Sequence, residues 1–522
     1  MRTNNMDVVI ALDAGTSSLR GAAYELTGAR RASASCPYTP EYYPDGRVRQ
    51  ATSTWEEALV KVLSSLGDEL TRRKLKPLCV SLTSQRASVI PIDREGMAAP
   101  EALMWHDRST SDQCRRISEV FAEHDLYRTT GLRIDSYFSA PKIVWLQEHE
   151  PERYSGSAKL LGVQDFIAYL LTGEFVTDHT QASRTLLFDI SSRRWDESIL
   201  DGLGISREKL PELAEPGTVV GQTCADLHAR CGFPTGVPVT LAGGDQQVAA
   251  LGMGVIEPGG AAANTGTGSF VVAPLDGPVF HPDMRTLCSC AAVPGMWIAE
   301  AGVLTTGTVY RWMSRQLGPG EHRADVDGPH GSDALLARMN ELAGEAPGGA
   351  NGVLVFPHFS GAAAPHWNAD ARGMIVNLSL STTRADIARA CLEAIAGELA
   401  VNLGEISTLC GEISTVTVAG GLSELELFDR MQADAFGVPV YVNPTTEASA
   451  FGALLGACVS MGVYEDHSQA HRALANETGE PIHPEASASA RFAEQMRIRT
   501  EIHDTLRDAG LYRSMRRLAE GE

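Results

Sequence analysis

Two aspartates stand at the ends of apolar runs, and each is followed by small or polar residues. Asp13 closes Val8-Val-Ile-Ala-Leu12 and leads into Ala14-Gly-Thr-Ser-Ser18. Asp245 follows Val239-Thr-Leu-Ala242 across Gly243-Gly244 and leads into Gln246-Gln247. The apolar run before Asp13 reads as a buried strand, and Gly15-Thr16-Ser17-Ser18 as a tight turn. Gly15 lets a ligand approach the backbone, and the N–H and hydroxyl groups after it can donate to phosphate oxygens. Asp13 is placed to hold a metal ion that a phosphate also binds. A substrate hydroxyl is a poor nucleophile, and a carboxylate such as Asp245 can take its proton as a bond to phosphorus forms. The plainer reading of Asp245 is a cap on the following helix.

Two further glycine-rich junctions follow apolar strands, Asn264-Thr-Gly-Thr-Gly268 and Ala419-Gly-Gly421. Each can turn backbone N–H groups toward a phosphate, and each singly is also an ordinary strand–helix turn. Three such junctions beside two strand-terminal aspartates point to a nucleotide cleft between two related domains.

The elements that must carry these residues alternate between strand and helix. Leu78–Leu82, Val239–Ala242 and Val416–Ala419 read as strands. Ser53-Thr-Trp-Glu56 reads as a capping box opening a helix to about Leu70. Ala140–Gln147, Asp165–Thr172, an amphipathic Arg384–Ala400 and Glu424–Phe436 read as further helices. The small-residue strand-and-turn pattern recurs near Asn264, after a turn at Glu257-Pro-Gly-Gly260, so a second domain starting near residue 257 repeats the first. The Gly- and Pro-rich stretch from Gly318 to Gly352 reads as an exposed excursion, and the charged tail from Glu485 as a helical surface element.

Bulk properties agree with an α/β enzyme. A chain of 522 residues holds two or more domains at roughly 150 residues each, and 43% hydrophobic content is ample for real cores. The net charge of −21 opposes a nucleic-acid or anionic-membrane surface. There is no apolar run of membrane-spanning length and no signal-peptide core after Met1. Ten cysteines without disulfide or zinc spacing read as thiols in a reducing cytoplasm.

The ordered motifs resemble the FGGY carbohydrate kinases, members of the actin-like ATPase fold. Tyr137-Phe-Ser-Ala-Pro-Lys-Ile-Val-Trp-Leu-Gln-Glu-His149 is similar to the first family signature, and Gly243-Gly-Asp-Gln-Gln247 to the segment of the catalytic aspartate. Within the family, Ser84-Gln-Arg86, Met104-Trp-His-Asp-Arg108, Val176–Phe188 and Ala364-Pro-His-Trp-Asn-Ala-Asp-Ala-Arg-Gly373 most resemble glycerol kinases. The resemblance implies an α/β chain of two duplicated actin-like, ribonuclease H-like ATPase domains with the nucleotide and sugar cleft between them. Residues 1–256 would form the substrate and phosphate side, 257–465 the nucleotide side, and 466–522 a C-terminal helical extension. It implies ATP as co-substrate, Mg²⁺ as cofactor, and a small polyol or sugar as acceptor. By position it places Arg86, Trp105, Tyr137, Asp245 and Phe270 around the substrate, with Asp245 the catalytic base. It places Gly15, Thr16, Ser17, Arg20 and Thr267 at the phosphates, Gly307, Arg311, Gly420 and Gly421 near the nucleotide, and Asp13 and Asp245 at the metal. Homo-oligomer formation is left open.

Two departures bear on the substrate. Glycerol kinases carry a glutamate directly after the substrate arginine, where this chain has Ala87. Losing a charge-assisted hydrogen bond of that kind costs roughly 1.5–3 kcal/mol of binding. The second family signature expects glycine where this chain has Asn377. The xylulokinase-type Gln-Met-His-Gly segment is absent, while autoinducer-2 kinases share several features. A ketose, a tetritol or the autoinducer-2 precursor therefore stand beside glycerol as acceptors. A non-catalytic nucleotide or sugar sensor on the same fold would be expected to lose one of the two aspartates, and both are present.

Overall fold

Val8–Leu12 is apolar at consecutive positions, so both faces of that strand must be covered. In a computed structural model, which describes residues 6–317, 329–445, 447–476 and 479–520, this is its position. The strand Asp7–Ala14 lies inside a six-stranded sheet, antiparallel to Ser18–Glu25 and parallel to Lys76–Ser84, and Val8 through Leu12 are at most 1% exposed. The sheet runs, in order, Val219–Gln222, Pro238–Gly244, Lys76–Ser84, Asp7–Ala14, Ser18–Glu25 and Arg30–Pro37.

The second sheet repeats this plan. Its order is Leu287–Cys290, Trp297–Val303, Ser269–Leu275, Gly260–Thr265, Thr415–Ala419 and Val440–Val442. In each sheet three consecutive antiparallel strands are followed by two parallel ones, joined through the first strand of the repeat. Asp13 and the Asn264 turn are therefore equivalent positions: both stand at the carboxyl end of a central strand, where ligands of open α/β sheets bind.

The helices seal the sheets. Ser53–Arg73 buries Trp55, Leu59, Val62, Leu63, Leu66 and Leu70 over the first sheet. Its cap is Thr52, without a side-chain bond, so the expected capping box does not form. Such a box does form at Thr383 and Asp386, opening the 27-residue helix Arg384–Cys410. That helix is buried on most of its circumference rather than amphipathic, because the second sheet and the C-terminal helix Ala486–Asp508 cover it from different sides. Late in the chain, Ala448–Ser460 and His467–Leu474 return to the first sheet and cover its other face, where Val9, Ala11 and Cys79 pack against Leu454, Leu455 and Ala470.

Two expectations change. In the glycine-rich stretch, residues 318–328 lie outside the described residues. Beyond them Pro329–Glu345 is a helix packed on Arg384–Cys410, with Met339 and Ala343 buried. Leu336, Met339 and Ala343 repeat at helical spacing and outweigh the flanking glycines. The tail is also more than a surface element, since Ala486–Asp508 buries Phe492, Arg499 and His503. Among the described residues no helix is long and apolar enough to cross a membrane. All ten cysteines are free thiols.

Candidate active site

The first phosphate-type turn is held from three sides. The Gly15 N–H donates to the Ser18 carbonyl (3.0 Å), and the Gly15 carbonyl accepts from the Tyr38 hydroxyl (2.8 Å) and the Gln85 amide (3.3 Å). Thr16 Oγ1 accepts from the Trp105 indole N–H at 3.0 Å, so a residue expected at the substrate also anchors the turn expected at the phosphates. Ser17 and Arg20 are exposed at its mouth, and Arg20 is the cross-strand neighbour of Asp13.

The second turn is assembled from three segments. The carbonyl of Thr267 accepts from Thr306 N–H (3.1 Å) and Thr308 Oγ1 (3.1 Å), which sets the start of the helix Gly307–Leu317 against the turn. Gly420 has φ +101°, and a Cβ there would lie 2.3 Å from the Thr265 carbonyl, so only glycine allows this approach. Thr267 is exposed, Gly307 touches Gly266, Gly421 opens a 3₁₀ turn, and Arg311 is exposed one turn along its helix.

Asp245 is the first residue of the helix Asp245–Gly252, with Gly244 as the cap, so it is not the capping residue of the plainer reading. The turn before it is fixed by Thr83 Oγ1 donating to the Gly243 carbonyl (2.7 Å) and Gly244 N–H donating to Thr180 Oγ1 (2.7 Å). A Cβ at Gly244 would lie 2.6 Å from Arg86 Cδ, so the glycine makes room for the arginine. Arg86 Nε then stands 3.4 Å from Asp245 Oδ1.

The fork of Arg86, a residue the resemblance places at the substrate, is not open. It closes on Glu300, with Nη1 to Oε2 at 2.7 Å and Nη2 to Oε1 at 3.2 Å, and Nη1 also donates to Gln247 (3.0 Å). Arg184 Nη2 reaches the same Glu300 at 3.0 Å. All three side chains are 1% exposed. Burial raises the Glu300 carboxyl, but the Arg184 and Arg86 guanidiniums outweigh it and hold the acid below its ordinary range. Glu300 comes from the second sheet and Arg86 and Arg184 from the first half of the chain, so one buried ion cluster joins the two domains. Glu300 thus pairs with Arg86 from across the cleft with both its oxygens taken by Arg86 and Arg184, and position 87 itself offers a substrate hydroxyl no carboxylate. Ala87 itself has φ +63° and borders a cavity of only about 30 Å³.

Arg184 and Glu300 of this cluster also line a cavity of about 600 Å³, whose lining does not include Arg86, Trp105 or Asp245. Tyr137 and Phe270 line it with Arg184 and Glu300, and the other walls include Phe359, Trp367 and Arg372. Lys142 holds Tyr137 in place by donating to the carbonyls of Ser136, Tyr137 and Phe138 at 2.7–2.9 Å. Trp105 meets Tyr137 edge-on, with ring centres 5.2 Å apart. A Cβ at Gly302 would lie 2.9 Å from the Phe270 ring, so that glycine seats Phe270. The Asn377 departure also has a physical account: it adopts φ +62°, the region glycine would occupy and asparagine tolerates, and its amide donates to the Gly352 carbonyl (2.9 Å).

Asp13 lies beside a second opening of about 310 Å³ that it shares with Arg20 and Glu447. Burial, with the charges of Asp245 and Glu447, raises its carboxyl from 3.8 to about 7, against the opposing pull of Arg20. Burial also raises Asp245, although Arg86 draws it down. Asp245 and Glu447, the latter paired with Arg30 at 2.6 Å, both act on Asp13, and carboxylate oxygens of this kind suit a divalent cation such as Mg²⁺. Glu447 was not singled out in the sequence, and neither were Glu300 and Arg184. Glu300 alone left a signal, as an acid inside the apolar run Trp297-Ile-Ala-Glu-Ala-Gly-Val303.

The repeated sheets, the two glycine-rich turns and the aspartate between them define a two-domain phosphotransferase. The sequence matches the N-terminal domain of the FGGY family of carbohydrate kinases over residues 8–252 and its C-terminal domain over residues 261–461, and the chain belongs to that family. It is 33% identical to a glycerol kinase of Leptothrix cholodnii, covering 88% of this chain and 92% of that one. It is 29% identical to an autoinducer-2 kinase of Yersinia enterocolitica, covering 89% and 88%. Its fold is shared with a gluconate kinase from Lactobacillus acidophilus, at a TM-score of 0.87, 23% identity and coverage of 96% and 98%.

Proposed function

We propose that this ATP-dependent carbohydrate kinase phosphorylates a hydroxyl of a polyol or sugar larger than glycerol, with Asp245 as the base. The observation that carries this reading is the junction of the 600 Å³ cavity, lined by Tyr137 and Phe270, with the buried Arg86–Glu300–Arg184 cluster that faces Asp245. A cavity of that size falls in the range of small-molecule sites and leaves a three-carbon acceptor loosely held. Trp105, Tyr137 and Phe270 would pack the carbon face of the acceptor, and Arg86, steadied by Glu300, would fix Asp245 near the reacting hydroxyl. A carboxyl raised by burial is a stronger base than a free one, which suits proton removal. Gly15, Thr16, Ser17, Arg20 and Thr267 would donate to the phosphate oxygens, with Gly307, Arg311, Gly420 and Gly421 bordering the nucleotide. Asp13 and Asp245, with Glu447 nearby, would hold Mg²⁺, which when bound neutralises charge on the phosphates. The division at residues 256/257 and 465/466, a cytoplasmic location, and small molecules rather than nucleic acid or membrane as partners belong to the same reading.

The acceptor is read by a coupled ADP-release assay over glycerol, erythritol, dihydroxyacetone, xylulose, ribulose and the autoinducer-2 precursor. Glycerol is expected to be a poor substrate, with kcat/KM at least about tenfold below that of the best acceptor, corresponding to about 1.4 kcal/mol. Glycerol turned over more efficiently than every other acceptor would overturn the size argument.

Asp13 makes magnesium binding pH-dependent. Its folded carboxyl is raised to about 7, so the metal-free protein keeps a proton that the unfolded chain releases near pH 4. Stability of the metal-free chain therefore declines as pH rises from about 4 through 7, and Mg²⁺, which binds the anion, restores it. The increase in Tm on adding Mg²⁺ is expected to be larger at pH 8 than at pH 6. Asp13→Asn should raise the metal-free Tm at pH 8 and abolish the magnesium effect. An equal Mg²⁺ effect in the variant would place the ion elsewhere.

A further inference from the structure

A second cluster of ligating side chains lies outside the cleft, where the C-terminal helix Ala486–Asp508 meets the loop that carries Phe359 and Trp367. Ligating atoms of His366, His503 and Asp504 lie within 4.8 Å of one another, and those of His358, His366 and Glu398 do likewise, so the two sets share His366. Ring centres of His366 and His503 are 4.0 Å apart, and His358 is 5.8 Å and 5.6 Å from them. His358 Nδ1 and His503 Nε2 are buried without a hydrogen-bond partner, and His358 Nε2 has only Glu398 Oε1, at 3.4 Å. Buried polar atoms are rarely left so, and each such group calls for an explanation.

The hydrogen bonding around the cluster orients its donors without consuming them. The Tyr512 hydroxyl contacts His503 Nδ1 at 3.1 Å, which leaves Nε2 turned to the cluster. Such an outer contact fixes ring orientation in metal-ligating histidines. Arg499 takes Glu398 Oε1 at 2.6 Å, while Glu398 Oε2 stands 4.0 Å from His366 Nε2, too far for a hydrogen bond. Arg499 engages Glu398 inside the cluster, and Asp504, partly exposed and paired with Arg507 at 2.7 Å, offers a second carboxylate at its edge. Two imidazoles and a carboxylate suit zinc and its neighbours and do not suit Mg²⁺, which prefers oxygen alone.

We propose that His366, His503 and Asp504, backed by His358 and Glu398, bind a divalent transition-metal ion of the zinc class. His503 and Asp504 belong to the C-terminal extension, which lies beyond the part of the chain matched by the family's domain models, and His366 belongs to the cavity loop. The ion would tie the extension to the loop, a structural role separate from phosphoryl transfer.

The test uses the full chain without a histidine tag, stripped with a chelator that is then removed, and titrated with Co²⁺ and then Zn²⁺ in excess Mg²⁺. The expected result is one Co²⁺ per chain with the visible absorption of a nitrogen-ligated ion, its displacement by Zn²⁺, and a rise in Tm on binding. His503→Gln and His366→Asn should lose the signal. Tyr512→Phe should weaken binding about tenfold or more, since it touches only the ligand's orientation. If a histidine variant fails to fold, the partly exposed Asp504→Asn serves in its place and should also lose affinity. Absence of stoichiometric binding by the folded protein, or binding unchanged in the folded variants, overturns the proposal. Phosphoryl transfer is not read in this experiment, so its outcome is independent of the kinase assignment.

Discussion

Glu300→Ala is expected to lower the free energy of unfolding by about 3–5 kcal/mol, because it leaves the buried Arg184 without its ion-pair partner and Arg86 with only Asp245 at 3.4 Å. Arg86 and Arg184 both reach Glu300 within 3.2 Å, and neither has solvent to turn to. The penalty is one of desolvation: the two guanidiniums were taken out of water chiefly against this carboxylate. An exposed comparison is available in Arg72–Glu69, where Glu69→Ala should change stability by less than about 1 kcal/mol. Urea unfolding of the two variants beside the parent chain checks both. A Glu300→Ala chain that unfolds at the parent's midpoint would mean that the cluster does not join the domains. In folded Glu300→Ala, Arg86 would also lose its bidentate anchor, so KM for the acceptor should rise along with the loss of stability.

Asp245→Asn has the largest expected effect on activity, a fall in kcat of about 10²–10⁴-fold, the range of general-base contributions. The substitution keeps volume and leaves the Gly243–Gly244 turn in place, since that turn is held by Thr83 and Thr180. Affinity for ATP should therefore stay close to that of the parent chain, measured by calorimetry or nucleotide fluorescence. The parent's kcat/KM should fall as pH drops through the raised carboxyl of Asp245, because the protonated acid cannot accept the substrate proton. The residual activity of the variant should lack that limb. Comparable turnover in variant and parent would remove Asp245 from the role of base.

What the sequence revealed follows from locality. A strand, its terminal aspartate and the next turn lie within a dozen residues, so Asp13 and Asp245 could be read directly, as could the glycine-rich turns at Asn264 and Ala419. The repeat was legible for the same reason, and five strands in each sheet follow it. The binding environment was less so, because it is made across the cleft. Arg86 and Ala87 pointed to a missing carboxylate, and nothing local showed that Glu300, 213 residues beyond Ala87 in the chain, closes on Arg86. Glu447 offered no pattern at all: it faces Asp13 only because Ala448–Ser460 returns to the first sheet. Pro329–Glu345 was hidden by composition, since its flanking glycines drew attention from three apolar residues at helical spacing.

The most direct test of the kinase reading follows the phosphoryl group itself. The protein is incubated with ATP, Mg²⁺ and an equimolar mixture of the candidate polyols and sugars, and phosphorylated products are identified by mass spectrometry and compared with the ADP formed. The expected result is a sugar or polyol monophosphate that accounts for the ADP mole for mole and is absent with Asp245→Asn. ADP accompanied only by inorganic phosphate, or the same product at the same rate from Asp245→Asn, would contradict it.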